Sequence, residues 1–104
     1  MKLKVSERLQ LLQVLPSEGN FVTMKILGDL RMNLSYTEDE LEKWGIDVNR
    51  ETETISWQED GEKDIPIGEK ATGIILDELR KLDGQNKITE TTMPIYELFV
   101  PEIE

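Results

Sequence analysis

The sequence predicts an α+β fold that is mainly helical, with four to five short helices packed with one small β-hairpin in a single small domain, residues 1–104. Three observations lead to this prediction. Apolar residues recur at helical spacing in several segments, residues that cap helices precede those segments, and one intervening stretch alternates apolar and polar side chains as a strand does. A chain of 104 residues can form one modest core.

The first two helices are predicted from caps and apolar spacing. Ser6 can cap a first helix that Pro16 ends, and Asn20 can cap a second helix that runs to about Leu34. The apolar stripe of the first helix is Val5, Leu9, Leu12 and Leu15, and that of the second is Ile26, Leu27, Leu30 and Leu34. Strand-forming residues in 21–27 and the helix-weakening Gly28 argue against the second helix.

A third, short helix has the clearest N-terminal signal. Thr37 and Glu40 have the spacing of a capping box, and Tyr36 and Leu41 have that of a hydrophobic staple. The helix should end at Trp44, because the next residue is a glycine that can adopt the left-handed conformation.

The predicted β-hairpin follows the third helix. Thr52–Trp57 alternates apolar and polar residues, and Lys63–Ile67 could pair with it. The intervening QEDGE segment (58–62) supplies a glycine for the turn. Pro66 would restrict the second strand to an edge, because proline lacks an amide hydrogen.

Two helices are predicted in the last third of the chain. One runs from about Glu69 to Leu82, with Gly84 as its C-terminal cap. Its apolar face is Ala71, Ile74, Ile75, Leu79 and Leu82. Either Thr89 or Thr92 caps the final short helix, which contains Ile95, Tyr96, Leu98 and Phe99, with Pro94 in its first turn.

Composition excludes several classes of function. The chain contains no cysteine and no histidine, so disulfides, thiolate metal sites and histidine-based catalysis are excluded. The net charge is −10, which disfavours direct binding to nucleic acid through a basic face. No apolar run is long enough for a membrane span, and the N-terminus lacks the apolar centre of a signal peptide. We therefore expect a cytoplasmic protein that binds no membrane.

Three segments together resemble a family of small uncharacterised proteins of tailed bacteriophages and prophages. The segments are SERLQLLQVLPSEGNFVTMKIL (6–27), IPIGEKATGIILDELRKLD (65–83) and ITETTMPIYELF (88–99). The order of elements is also similar, so the resemblance covers most of the chain. It implies an accessory phage protein that works inside a bacterium, and it implies no functional residue.

The charge is concentrated in residues 38–64, which carry eleven acidic and three basic side chains. Within this acidic segment, the candidate partner-binding residues are Glu59, Asp60, Glu62 and Asp64, which surround Gly61. A calcium loop of the EF-hand type is not predicted, because no closing glutamate follows at the required spacing. The favoured interpretation is a hairpin turn in solvent. The sharper alternative is an acidic surface that mimics nucleic acid.

Other candidate sites have simpler structural interpretations. GEKATG (68–73) lacks the order of a phosphate-binding loop and is interpreted as a helix start. Trp44 and Trp57 could mark a binding surface, but we expect both to cover a small core. The serines have no histidine to activate them, and a chain of this length leaves little room for a sugar cleft.

The sequence therefore predicts a non-enzymatic protein that acts through protein–protein interaction, with no metal and no cofactor. Its partner would be a host or phage protein, and self-association into a homo-oligomer is also an open alternative. The leading alternative function is an acidic inhibitor that presents segment 38–64 to a basic host protein.

Overall fold

In a computed structural model, which describes residues 1–100, the chain forms five helices and four short strands. The prediction of a mainly helical α+β fold is confirmed. The last four residues of the predicted domain lie outside the described residues. In chain order the elements are β1 Lys2–Lys4, α1 Val5–Val14, α2 Phe21–Leu34, α3 Glu38–Lys43, β2 Asp47–Asn49, β3 Thr54–Ser56, β4 Glu62–Asp64, α4 Glu69–Gly84 and α5 Met93–Phe99.

The main core lies where α1, α2, α4 and α5 pack together. Their buried side chains are Leu11, Val14, Leu27, Leu30, Leu34, Ala71, Ile75, Leu79, Ile95 and Phe99. Leu3 of β1 and Ile65, which follows β4, close the same cluster. Burying these apolar side chains is the main favourable contribution to folding.

A second, smaller cluster lies around Trp44, which is only 6% exposed. Val5 and Ile46 are also buried there, and the half-buried side chains packed against them are Tyr36, Leu41, Ile55 and Trp57. The prediction that both tryptophans cover one small core is therefore confirmed, although Trp57 keeps part of its surface in solvent.

The predicted caps of α2 and α3 are present. The Asn20 side chain accepts a hydrogen bond from the Thr23 amide at 2.8 Å, and α2 ends at Leu34 as expected. At α3, Thr37 Oγ1 accepts from the Glu40 amide, and Glu40 Oε1 accepts from the Thr37 amide. Gly45 follows with φ of 60°, the left-handed conformation that its position predicted.

The predicted apolar stripe of α1 is correct at Val5 and Leu15, which are buried, and wrong between them. The helix starts at Val5 rather than after Ser6, and its fully buried positions include Arg8 and Leu11. Leu9 and Leu12, which the stripe placed inside, are only half-buried. The physical reason is that Arg8 is a core residue here, paired as described below, so Arg8 and Leu11 take the buried positions that were expected for Leu9 and Leu12.

The predicted pairing of Thr52–Trp57 with Lys63–Ile67 is also wrong. β3 pairs with β2, with Val48 opposite Ile55, and these two strands form the hairpin. The strand within the second predicted arm, β4, pairs instead with the N-terminal β1. The segment QEDGE is therefore not a hairpin turn.

Charge and turn chemistry explain the observed pairing. β1 and β4 are antiparallel, and Lys2 and Lys4 face Asp64 and Glu62. Opposite charges across a strand pair are favourable. In the β2–β3 hairpin, the Asn49 side chain accepts hydrogen bonds from the amides of residues 51 and 52, which closes the turn.

The end of α4 differs from its prediction. Gly84 lies inside the helix, and Asn86 takes the left-handed conformation with φ of 57°. The Lys87 amide then donates to the Leu82 carbonyl at 2.8 Å, which satisfies a terminal acceptor of the helix. Of the two candidate caps for α5, Thr92 occupies the N-cap position, without a side-chain capping bond.

Gly61 is a position where only glycine fits. It is buried against Trp44, and a Cβ atom added there would overlap the indole ring. The Gly61 carbonyl also accepts from the Val5 amide at 3.1 Å, so the backbone is held from both sides.

We expect Gly61→Ala to lower the free energy of unfolding by about 1–3 kcal/mol, because the methyl group must displace Trp44 from the small cluster. The matched control is Gly73→Ala in α4, where a Cβ meets no atom within 4 Å. That change should raise the stability by about 0.5–1 kcal/mol through helix propensity. Urea unfolding followed by circular dichroism measures both, and equal stabilities of the two variants would contradict the role of Gly61.

Candidate functional site

The four candidate residues Glu59, Asp60, Glu62 and Asp64 are all exposed, but they differ in the contacts that they make. Asp60 binds the start of α1: its Oδ1 accepts from the Ser6 amide at 2.9 Å, and its Oδ2 accepts from the Ser6 hydroxyl at 2.8 Å. Asp60 therefore satisfies a free amide at the positive end of the helix. Ser6 contributes to this cap as a donor and not as the predicted N-cap residue.

The remaining three candidates differ in their surroundings. Asp64 accepts a hydrogen bond from the Met1 ammonium group at 2.8 Å, and that bond lowers the pKa of the Asp64 carboxyl. The side chains of Glu59 and Glu62 are exposed and make no hydrogen bond or ion pair within the described residues. Two of the four carboxylates thus bind other parts of the chain at its surface, and two have no such contact.

The acidic helix α3 lies beside the segment that carries Glu59 and Glu62. The amide of Glu59 donates to the Trp44 carbonyl at 3.1 Å, and the Lys63 ammonium lies 3.3 Å from Glu40. The exposed acidic residues of α3 are Glu38, Asp39 and Glu42. The acidic segment is therefore partly gathered in space, with Lys63 among its carboxylates.

Arg8 and Glu40 form a buried ion pair that the sequence analysis missed. Arg8 is 0% exposed, and its Nη1 and Nη2 lie 3.1 and 3.2 Å from the two Glu40 carboxylate oxygens. Arg8 also donates to the carbonyls of Leu34 and Ser35 at the C-terminus of α2. Its guanidinium lies over the Tyr36 ring, 4.6 Å from the centroid. The pair thus connects α1, the end of α2 and α3.

Two groups at this junction have shifted pKa values, for different reasons. Burial disfavours ionisation of Glu40, but hydrogen bonds from Arg8, the Thr37 amide and Lys63 outweigh it and lower the pKa of Glu40 from 4.5 to about 2. Burial raises the pKa of Tyr36, whose hydroxyl donates to the Val5 carbonyl at 3.0 Å. Both groups stabilise the junction between the two clusters.

The outer face of α2, defined here by Phe21, Lys25, Gly28 and Met32, carries the two most exposed large apolar side chains of the described residues. Phe21 is 81% exposed and Met32 is 76% exposed. Val22, beside this face, is 61% exposed. Large apolar side chains that are left in water on one side of a helix are a feature of protein-binding surfaces.

The sequence contained a signal for this surface that was not used. Phe21 and Met32 do not belong to the predicted stripe of α2, because they lie on the side opposite Leu30 when the helix is drawn at 100° per residue. The sequence analysis considered Phe21 only as one of the strand-forming residues of 21–27 and did not consider Met32.

A groove of about 440 Å³ runs between α2 and the start of α4. Ile26, Leu30 and Asn33 line it from α2, and Pro66 and Ala71 line it from the other side. The charged residues that line the groove are Asp29, Glu69 and Lys70.

Among residues 1–100, no group of three acidic side chains is placed to hold a metal ion. Among the helices that the structure describes, none is long and apolar enough to cross a membrane. In comparisons with known proteins, no family model, curated protein or solved structure matches this chain.

We expect Glu40→Gln to lower the free energy of unfolding by about 3–5 kcal/mol, because it leaves the Arg8 guanidinium buried without its counter-charge. Glu42→Gln is the matched control on the same helix, since Glu42 is exposed and makes no ion pair within the described residues. Its effect should stay within about 0.5 kcal/mol. Denaturant unfolding of wild type and the two variants tests the expectation. Similar losses of unfolding free energy in both variants would contradict a stabilising role of the buried pair.

The same pair should make stability depend on acid pH. The lowered pKa of Glu40 contributes about 3 kcal/mol that is fully present above pH 4.5 and is lost as the pH falls towards 2. The stability difference between wild type and Glu40→Gln should therefore be large at neutral pH and shrink at about pH 3. Urea titrations at both pH values measure it, and a pH-independent difference would contradict the assigned protonation.

Proposed function

We propose that this protein is a non-enzymatic interaction protein that binds a protein partner through the outer face of α2. The observation that carries the proposal is the exposure of Phe21 and Met32 on the side of a well-capped helix that faces away from the core. A rigid helix that presents large apolar side chains is a common way to dock another protein.

Energetic considerations support this surface over the acidic one. Burying a Phe or Met side chain contributes about 1.5–3 kcal/mol each, whereas an exposed ion pair contributes about 0–1 kcal/mol. Aromatic residues and methionine are also enriched at protein interfaces, and glutamate and aspartate are depleted there. The exposed apolar residues of α2 can thus supply more binding free energy than Glu59 and Glu62 can.

The cellular setting is part of the proposal. The resemblance of three segments to small proteins of tailed bacteriophages and prophages supports an accessory role in the cytoplasm of a bacterial host. Binding through apolar surface fits an assembly role, because such contacts persist at high salt.

The second candidate function is an acidic inhibitor that docks a basic host protein on segment 38–64. The specific observation in its favour is the contact between α3 and the segment that carries Glu59 and Glu62, which brings exposed carboxylates together. Association of this kind would be fast and sensitive to salt.

Affinity capture with surface variants separates the two functions. The bait is the full chain, with Phe21→Ser/Met32→Ser as the α2 variant and Glu59→Lys/Glu62→Lys as the acidic variant, in low and high salt. We expect the α2 variant to lose the captured protein and the acidic variant to retain it in both salts. All four positions are exposed, so the variants should keep the circular dichroism spectrum of wild type.

The opposite pattern would favour the inhibitor. If the acidic variant releases the captured protein, and high salt releases it from wild type, binding through α2 is wrong. If both variants retain the captured protein, neither surface is its binding site.

A further inference from the structure

The outer face of α2 has the spacing of a helix–helix seam. Phe21, Lys25, Gly28 and Met32 are separated by steps of four, three and four residues, which is the alternation found where two helices pack along their length. Within the described residues, nothing packs over Phe21 or Met32. The seam therefore has room for a second helix.

We propose that the occupant is a second copy of this chain, bound with its own α2 antiparallel to the first. This rests on the proposed protein-binding role of the same face and adds the identity of the partner. In an antiparallel pair centred between Ile26 and Leu27, Phe21 faces Met32 of the second copy, and Lys25 faces Gly28 of the second copy. The surface is then complementary to itself, as a two-fold interface requires.

Gly28 supports this arrangement. A glycine in a helix interior is unfavourable by about 0.5–1 kcal/mol relative to alanine. Nothing inside the chain requires it, because a Cβ at Gly28 would meet no atom within 4 Å. In the antiparallel pair, the open space at Gly28 receives the aliphatic stem of Lys25 from the second copy.

Charge complementarity supports the same register. Asp29 directly follows Gly28, so the ammonium group of each Lys25 comes beside the Asp29 carboxylate of the other copy. The two-fold axis produces this opposite-charge contact twice. Phe21 against Met32 adds a sulfur–aromatic contact at both ends of the seam.

The local charge permits two acidic chains to meet here. The segment 17–34 carries Glu18, Lys25, Asp29 and Arg31, and is neutral although the whole chain has a net charge of −10. Most of the excess negative charge lies in segment 38–64, so a contact centred between Ile26 and Leu27 brings together neutral parts of the two copies.

Charge swapping tests the proposal on the full chain. Sedimentation equilibrium should show a dimer for wild type, and Lys25→Asp alone or Asp29→Lys alone should each raise the dissociation constant at least tenfold. A mixture of the two single variants should restore association, because one copy then presents two carboxylates and the other two ammonium groups. Glu59→Lys, at an exposed site away from α2, is the control and should dimerise as wild type does.

Two results would overturn the second copy as the partner. One is a wild-type chain that remains monomeric at millimolar concentration; the other is a dimer whose dissociation constant neither single reversal changes. A third result separates this inference from the proposed function. If wild type is a monomer, and the Phe21→Ser/Met32→Ser variant fails to capture a protein that wild type captures, this inference is wrong and the protein-binding function stands. Circular dichroism of each variant separates lost association from lost folding.

Discussion

The arrangement of the two clusters depends on the buried pair of Arg8 and Glu40. Arg8 lies on the core side of α1 and binds two carbonyls at the end of α2, where the helix has its negative pole. Glu40 accepts from Arg8 and from the Thr37 amide at the same time, so one carboxylate both caps α3 and positions it. Through these bonds, α3 and the small cluster around Trp44 are held against the helical core.

An ion pair in this position contributes more to specificity than to net stability. Removing two charges from water is costly, and a well-packed apolar pair of similar volume often gives equal or greater stability. Apolar side chains, however, could not donate to the carbonyls of Leu34 and Ser35, and the Leu34 carbonyl would then stay buried without a donor. We infer that Arg8 is retained because it fixes where α2 ends and where α3 begins.

Local chemistry made most helices predictable. The Asn20 cap, the Thr37–Glu40 capping box and the left-handed Gly45 depend on neighbouring residues, and the sequence predicted each of them. Errors occurred where a partner is distant in the chain. Asp60 caps a helix that starts at Val5, and β1 pairs with a strand some sixty positions later, so neither contact leaves a local pattern.

The same distinction applies to the candidate surfaces. Composition identified the acidic segment, but it could not show that Asp60 and Asp64 form hydrogen bonds within the chain. An aspartate that caps a helix and an aspartate in solvent are the same residue in a sequence. For α2, the predicted stripe already contained Leu27, Leu30 and Leu34, which are buried. Helical phase measured from that stripe places Phe21 and Met32 on the opposite side, so their exposure could have been predicted.

The position of the ion pair also separates the two surfaces. Arg8 holds the C-terminal end of α2, whereas the outer face is centred between Ile26 and Leu27, about 11 Å along the helix axis from Leu34. This distance is more than one Debye length at physiological salt, so exposed carboxylates beyond Leu34 are substantially screened from the centre of the seam. An acidic chain can therefore carry a self-complementary helix face and keep its negative surface for solubility or for a basic partner, because the buried pair fixes the boundary between them.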